Sequence, residues 1–112
     1  NTSETNITVN IKIDRPPIIE LITPPPLTTL SKDNFPYTLT AEAWASAGIK
    51  NVKFYLIEED SKSLIDTVNP SNSSTYSTSW SYPGKGQYKI YASALDTKDR
   101  TTSTAKSQIT VK

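Results

Sequence analysis

Cysteine, histidine and methionine are absent from this chain, and glycine occurs only three times. Without cysteine there is no disulfide framework, although many prokaryotic surface proteins manage without one. Without histidine or cysteine, a Ser or Thr nucleophile would need a carboxylate or lysine as its base. Catalysis is therefore not expected. No apolar run approaches the roughly 18 residues needed to cross a bilayer. No stretch places apolar residues at helical spacing for three turns, so no substantial helix is expected. Charge is balanced, with 12 basic against 11 acidic residues in 112. The basic residues are scattered along the chain, which argues against a phosphate-tracking surface and nucleic-acid binding. Beginning at Asn1 and carrying no signal peptide, the chain reads as a mature or excised segment.

Serine and threonine make up about a quarter of the residues, and tyrosine, isoleucine and valine are frequent. Such a composition suits pleated, half-buried surfaces, and the length fits one domain with one core. Apolar residues alternate with polar ones at Tyr37, Leu39, Ala41 and Ala43. They do so again at Val52, Phe54 and Leu56, and at Tyr88, Ile90, Ala92 and Ala94. Ile18 to Ile22, Leu64 to Val68, Tyr76 to Trp80 and Ile109 to Val111 complete a set of seven short strands. Turn-forming segments separate them: Pro24-Pro25-Pro26 and a long loop to Asn34, Ala45 to Gly48, Glu58 to Lys62, Asn69 to Ser74, Pro83 to Gly86, and Asp96 to Arg100. Seven strands at this spacing indicate an all-β sandwich.

From Pro16 to Val111 the chain resembles the bacterial Ig-like modules of secreted and cell-surface proteins. The matching stretches are Pro17 to Ile22, Leu39-Thr40-Ala41-Glu42-Ala43, Gly48 to Tyr55, Tyr76 to Trp80 and Gly86 to Asp96, in order and at fitting spacing. The resemblance implies an extracellular or cell-surface immunoglobulin-like sandwich, used as a spacer, accessory or adhesive module and lacking an active site. Gly86-x-Tyr88 looks like a tyrosine corner, whose hydroxyl bonds back to loop backbone. Two departures stand out. Relatives carry Asp where Ala45 stands, a carboxylate that could have joined Asp96 around calcium, and they carry Gly near Asp99. No metal and no cofactor is expected.

Residues 1–13 form a strand beyond the seven, joined to a domain at 18–112 by a proline-containing linker at 14–17. Ile7, Val9, Ile11 and Ile13 alternate with Thr8, Asn10 and Lys12. Fully buried, four such side chains would contribute roughly 6–12 kcal/mol; left exposed, they template aggregation. Three arrangements follow. The segment is a donor strand entering a neighbouring subunit and building an open filament, the last strand of a preceding module, or an extra edge strand on its own domain. Ile7-Thr8-Val9 echoes Ile109-Thr110-Val111, which suits the second arrangement. If the chain is complete, no preceding module owns the strand, which favours the first. The expected partners are other copies of the chain or adjacent Ig-like modules.

Exposed aromatics offer a different function, that of an accessory module for polysaccharide-degrading enzymes or adhesins. Trp44, Tyr55 and Tyr91 point outward by alternation, and their rings suit stacking on sugars. The plainer alternative is a cross-strand Tyr55–Tyr91 pair that only stabilises its sheet. Asn1, Asn6 and Asn72 head N-glycosylation sequons. Glu58, Glu59 and Asp60 are the only carboxylate cluster, and a solvated turn explains them better than acid–base chemistry. No Lys/Asn/carboxylate spacing singles out an intramolecular isopeptide bond.

Overall fold

The computed structural model describes residues 15–112, so the N-terminal strand residues Ile7, Val9, Ile11 and Ile13 and the sequons at Asn1 and Asn6 lie outside the described residues. The described chain is all β apart from one 3₁₀ turn at Lys32–Asn34. Its strands are β1 (Ile18–Thr23), β2 (Thr28–Leu30), β3 (Tyr37–Trp44), β4 (Ile49–Glu58), β5 (Ser61–Val68), β6 (Thr75–Trp80), β7 (Gly86–Asp96), β8 (Thr101–Ser103) and β9 (Ser107–Val111). They form two sheets, a small one ordered β1-β3-β6 and a large one ordered β2-β9-β7-β4-β5, with β8 added beside β7.

The described strands number nine, where alternation predicts seven in this region. The additional two, β2 and β8, are three residues each. Three residues are too few for alternation to register, and β2 lies inside the segment expected as loop. It is held by parallel pairing with β9, Thr28 to Ile109 and Leu30 to Val111, and it buries Leu30. The first strand of the sandwich is thus divided between the two sheets.

The core lies between the sheets. Leu39 and Ala41 of β3, Val52 and Phe54 of β4, Ile90, Ala92 and Ala94 of β7 and Ile109 of β9 are all fully buried. The small alanines leave room for the large rings, because an interior at crystal-like density cannot hold bulk opposite bulk. Trp80 meets Phe35 and Tyr88 edge-on, with ring centroids 5.3 and 5.9 Å away.

The tyrosine corner is present. Tyr88 donates its hydroxyl to the carbonyl oxygens of Pro83 (3.2 Å) and Gly84 (3.1 Å). Gly84 stands at φ +104°, which a side chain rarely tolerates. Burial, and then the negative charge of Glu58, push the Tyr88 phenol above its ordinary value. The phenol therefore stays a donor at neutral pH.

Register gives the two ends of the sandwich. At one pole, Ile18 pairs with Trp44, Ile49 pairs with Asp96, and the Arg15 amide donates to Ser46 Oγ. At the other, Val111 pairs with Gly86 and Tyr37 with Trp80. The described chain begins at the first pole and ends at the second.

Candidate functional site

The outer face of the large sheet holds Tyr55 on β4 directly opposite Tyr91 on β7. Their rings stack with centroids 5.0 Å apart and planes 20° from parallel. Lys62 Nζ lies 4.8 Å from the centre of the Tyr55 ring and 5.9 Å from that of Tyr91, and Lys106 Nζ lies 5.7 Å from Tyr91. A lysine ammonium at this range is attracted by the ring quadrupole. One face of each ring is therefore spent on its partner, and each ring also holds an ammonium close by. The pair is built as a cross-strand contact that ties β4 to β7.

Trp44 is placed elsewhere. It ends β3 on the small sheet, 46% exposed, across from Ile18, which is 57% exposed. Arg15, Pro16, Ala45 and Ser46 join them around a shallow cleft of about 220 Å³ at the N-terminal pole. The three aromatic residues singled out from the sequence thus belong to two sites on opposite sheets. Asn72 lies exposed in the loop between β5 and β6.

Asp96 is structural. Its carboxylate is fully buried and accepts from the amides of Lys98 (2.9 Å) and Arg100 (2.8 Å) and from Arg100 Nε (2.9 Å). Burial raises its pKa, but the Arg100 amide and guanidinium and the Lys98 amide outweigh burial and hold it below the ordinary carboxylate value. Asp99 takes a left-handed φ of +65° in the same turn. That is the backbone shape glycine adopts most readily. Glu58, Glu59 and Asp60 are exposed at the β4–β5 turn. Among the described residues, no three His, Cys, Asp or Glu side chains are grouped to hold a metal, and no helix is long and apolar enough to cross a membrane.

Two sheets packed as a sandwich and a tyrosine corner match what the family resemblance implies, and the comparison of sequences decides the matter. The model of the bacterial Ig domain matches residues 17–92. The chain belongs to the bacterial Ig domain family. No curated protein matches this Ig domain in sequence. Among solved structures it is similar to the fibronectin(III)-like modules of CbhA from Clostridium thermocellum, at 14% identity and a TM-score of 0.65, covering 84% of this chain and 94% of that one. It is also similar to an LPMO from Kitasatospora papulosa, at 15% identity and a TM-score of 0.56, over 76% of this chain and 50% of the other. A cycloalternan-degrading enzyme from Trueperella pyogenes, solved with isomaltose, matches at 17% identity and a TM-score of 0.50, over 80% of this Ig domain and 11% of the enzyme. At these identities the likeness is one of fold.

Proposed function

We propose that this Ig domain is a non-catalytic spacer in an extracellular protein, one unit of a linear array that carries or accompanies polysaccharide-acting domains. The observation that carries this is the position of the first and last strands of the described domain. Ile18 lies at the pole of Trp44 and Val111 at the pole of Gly86. β7 runs 11 residues between those poles, a span of about 36 Å at 3.3 Å per residue. A domain with its ends at opposite poles extends a chain, whereas one with adjacent ends hangs from it. The exposed Ile18 and Trp44 suit the seat of a preceding module, since apolar surface of this kind is commonly covered by a partner. The polysaccharide context draws on the LPMO and the cycloalternan-degrading enzyme, in which a similar fold is part of a longer chain. Small-angle scattering of two copies of residues 15–112 joined in tandem is the test. The expected maximum dimension is close to twice that of one copy; a pair folded side by side would defeat the proposal.

A second arrangement is self-assembly through residues 6–13, and one feature favours it. β1 is an edge of the small sheet. Beside it runs an open cleft of about 350 Å³ that includes Ile19 and Leu21 on one side and Ser103 to Ser107 on the other. A strand added there would gain backbone hydrogen bonds along β1 and cover apolar surface. Electron microscopy and light scattering separate the cases: fibres from the full chain and monomers from residues 15–112 are expected of strand donation, and monomers from both would exclude it.

A further inference from the structure

Lysines far apart in the sequence are gathered by register on the outer face of the large sheet. Lys62 of β5, Ile57 of β4, Lys89 of β7 and Gln108 of β9 form one row across the strands. Leu64, Tyr55 and Tyr91 form the next, and Lys106 lies at its end over Tyr91. Thr67, Lys53, Ser93 and Ser103 form the third. With strands about 4.8 Å apart and same-face neighbours about 6.6 Å apart along a strand, four ammonium groups are rooted in a patch roughly 15 Å square.

Among the described residues, these rows contain no carboxylate. The acids nearest in sequence lie off these rows. Asp66 accepts from Thr78 on the small sheet, Glu59 and Asp60 stand at the turn beyond the first row, and Asp99 pairs with Lys50 at 3.6 Å. On the outer face of the small sheet the charge is reversed, because Glu20 and Glu42 are directly opposed. A chain of 12 basic and 11 acidic residues thus places a third of its basic side chains on one face, with Glu59 at its edge beside Ile57, Lys89 and Gln108. Such crowding is self-repulsive, and the stacked tyrosines offset only part of it.

We propose that this face is the docking surface for an anionic polysaccharide. The claim rests on the proposed role beside polysaccharide-acting domains. Charge complementarity selects the occupant. The ammonium groups meet carboxylates or phosphates on the glycan, Ile57 and Leu64 meet apolar C–H faces of the sugar rings, and Gln108, Ser93 and Ser103 meet hydroxyls. A single-stranded nucleic acid fits less well, since Tyr55 and Tyr91 stack on each other and each spends one ring face that a base would use. A second copy fits less well too, because the acidic face opposes only Glu20 and Glu42 to four lysines.

Affinity electrophoresis of the full chain tests this with four probes: polygalacturonate, poly(glycerol phosphate), neutral dextran and a DNA oligonucleotide. Retardation by at least one acidic glycan is expected, stronger than by dextran or DNA and weakened by salt. The stronger of the two acidic probes identifies the anionic group. The double variant Lys62→Gln/Lys106→Gln should bind about tenfold more weakly, as expected for two exposed charge contacts, with its melting curve nearly unchanged. The charge-matched Lys32→Gln/Lys85→Gln variant, off the face, should bind as the parent does. No retardation by either acidic glycan, equal retardation by dextran or DNA, equal loss in both variants, or self-association on the same face would each overturn the proposal. Scattering from the tandem pair reads the spacer role separately, so an extended pair that ignores both acidic probes defeats only the docking surface.

Discussion

Asp96 shows how one carboxylate sets a local structure and its response to acid. Its bonds to the Lys98 and Arg100 amides and the Arg100 guanidinium close the β7–β8 turn. Because the folded pKa lies below the ordinary value of 3.8, ionised Asp96 stabilises the fold fully above the unfolded pKa. That contribution is lost as pH falls through the folded value. The parent's melting temperature should fall as pH drops below about 4. Asp96→Asn should melt lower at neutral pH and vary less with acid, as thermal melts from pH 2 to 7 would show. A slope equal to the parent's would place the acid sensitivity in other carboxylates. Gly86-x-Tyr88 made the corner legible in the sequence, because hydroxyl, glycine turn and target backbone lie within a few residues. The role of Asp96 was not legible: nothing in Asp96-Thr97-Lys98-Asp99-Arg100 distinguishes a buried carboxylate from a solvated turn until the turn is closed.

At the scale of elements, strong alternation and clear turn residues made the long strands readable from Tyr37 onward, and the alternating residues named there are buried in the core except Tyr37 and Leu56, which are half-buried against it. β2 and β8 escaped because pairing with β9 and β7, rather than their own pattern, makes them strands. The Tyr55–Tyr91 contact joins β4 to β7, the middle strand of the large sheet. Urea denaturation of Tyr55→Ala, Tyr91→Ala and the double variant should give a coupling of about 0.5–1.5 kcal/mol. Strict additivity would mean that the stack contributes nothing beyond burial. The lysine rows were invisible for a related reason. Residues 53, 62, 89 and 106 are neighbours only once register is known, so charge looked scattered along a chain whose folded surface is divided by sign.

At the scale of the whole molecule, fold class followed from composition and strand spacing, since β-branched residues and regular turns allow few architectures. Polarity of the ends did not, because it depends on which strands open and close the sandwich. It has a mechanical consequence. β1 runs away from the N-terminal pole alongside β3, and β9 runs toward the C-terminal pole between β2 and β7. Tension applied through the two ends pulls each terminal strand along its own axis, across hydrogen bonds that lie perpendicular to it toward β3 and β7 and aslant toward β2. Those bonds are loaded together in shear instead of being unzipped one by one, so the terminal strands grip hardest when the pull runs along the line joining the two poles.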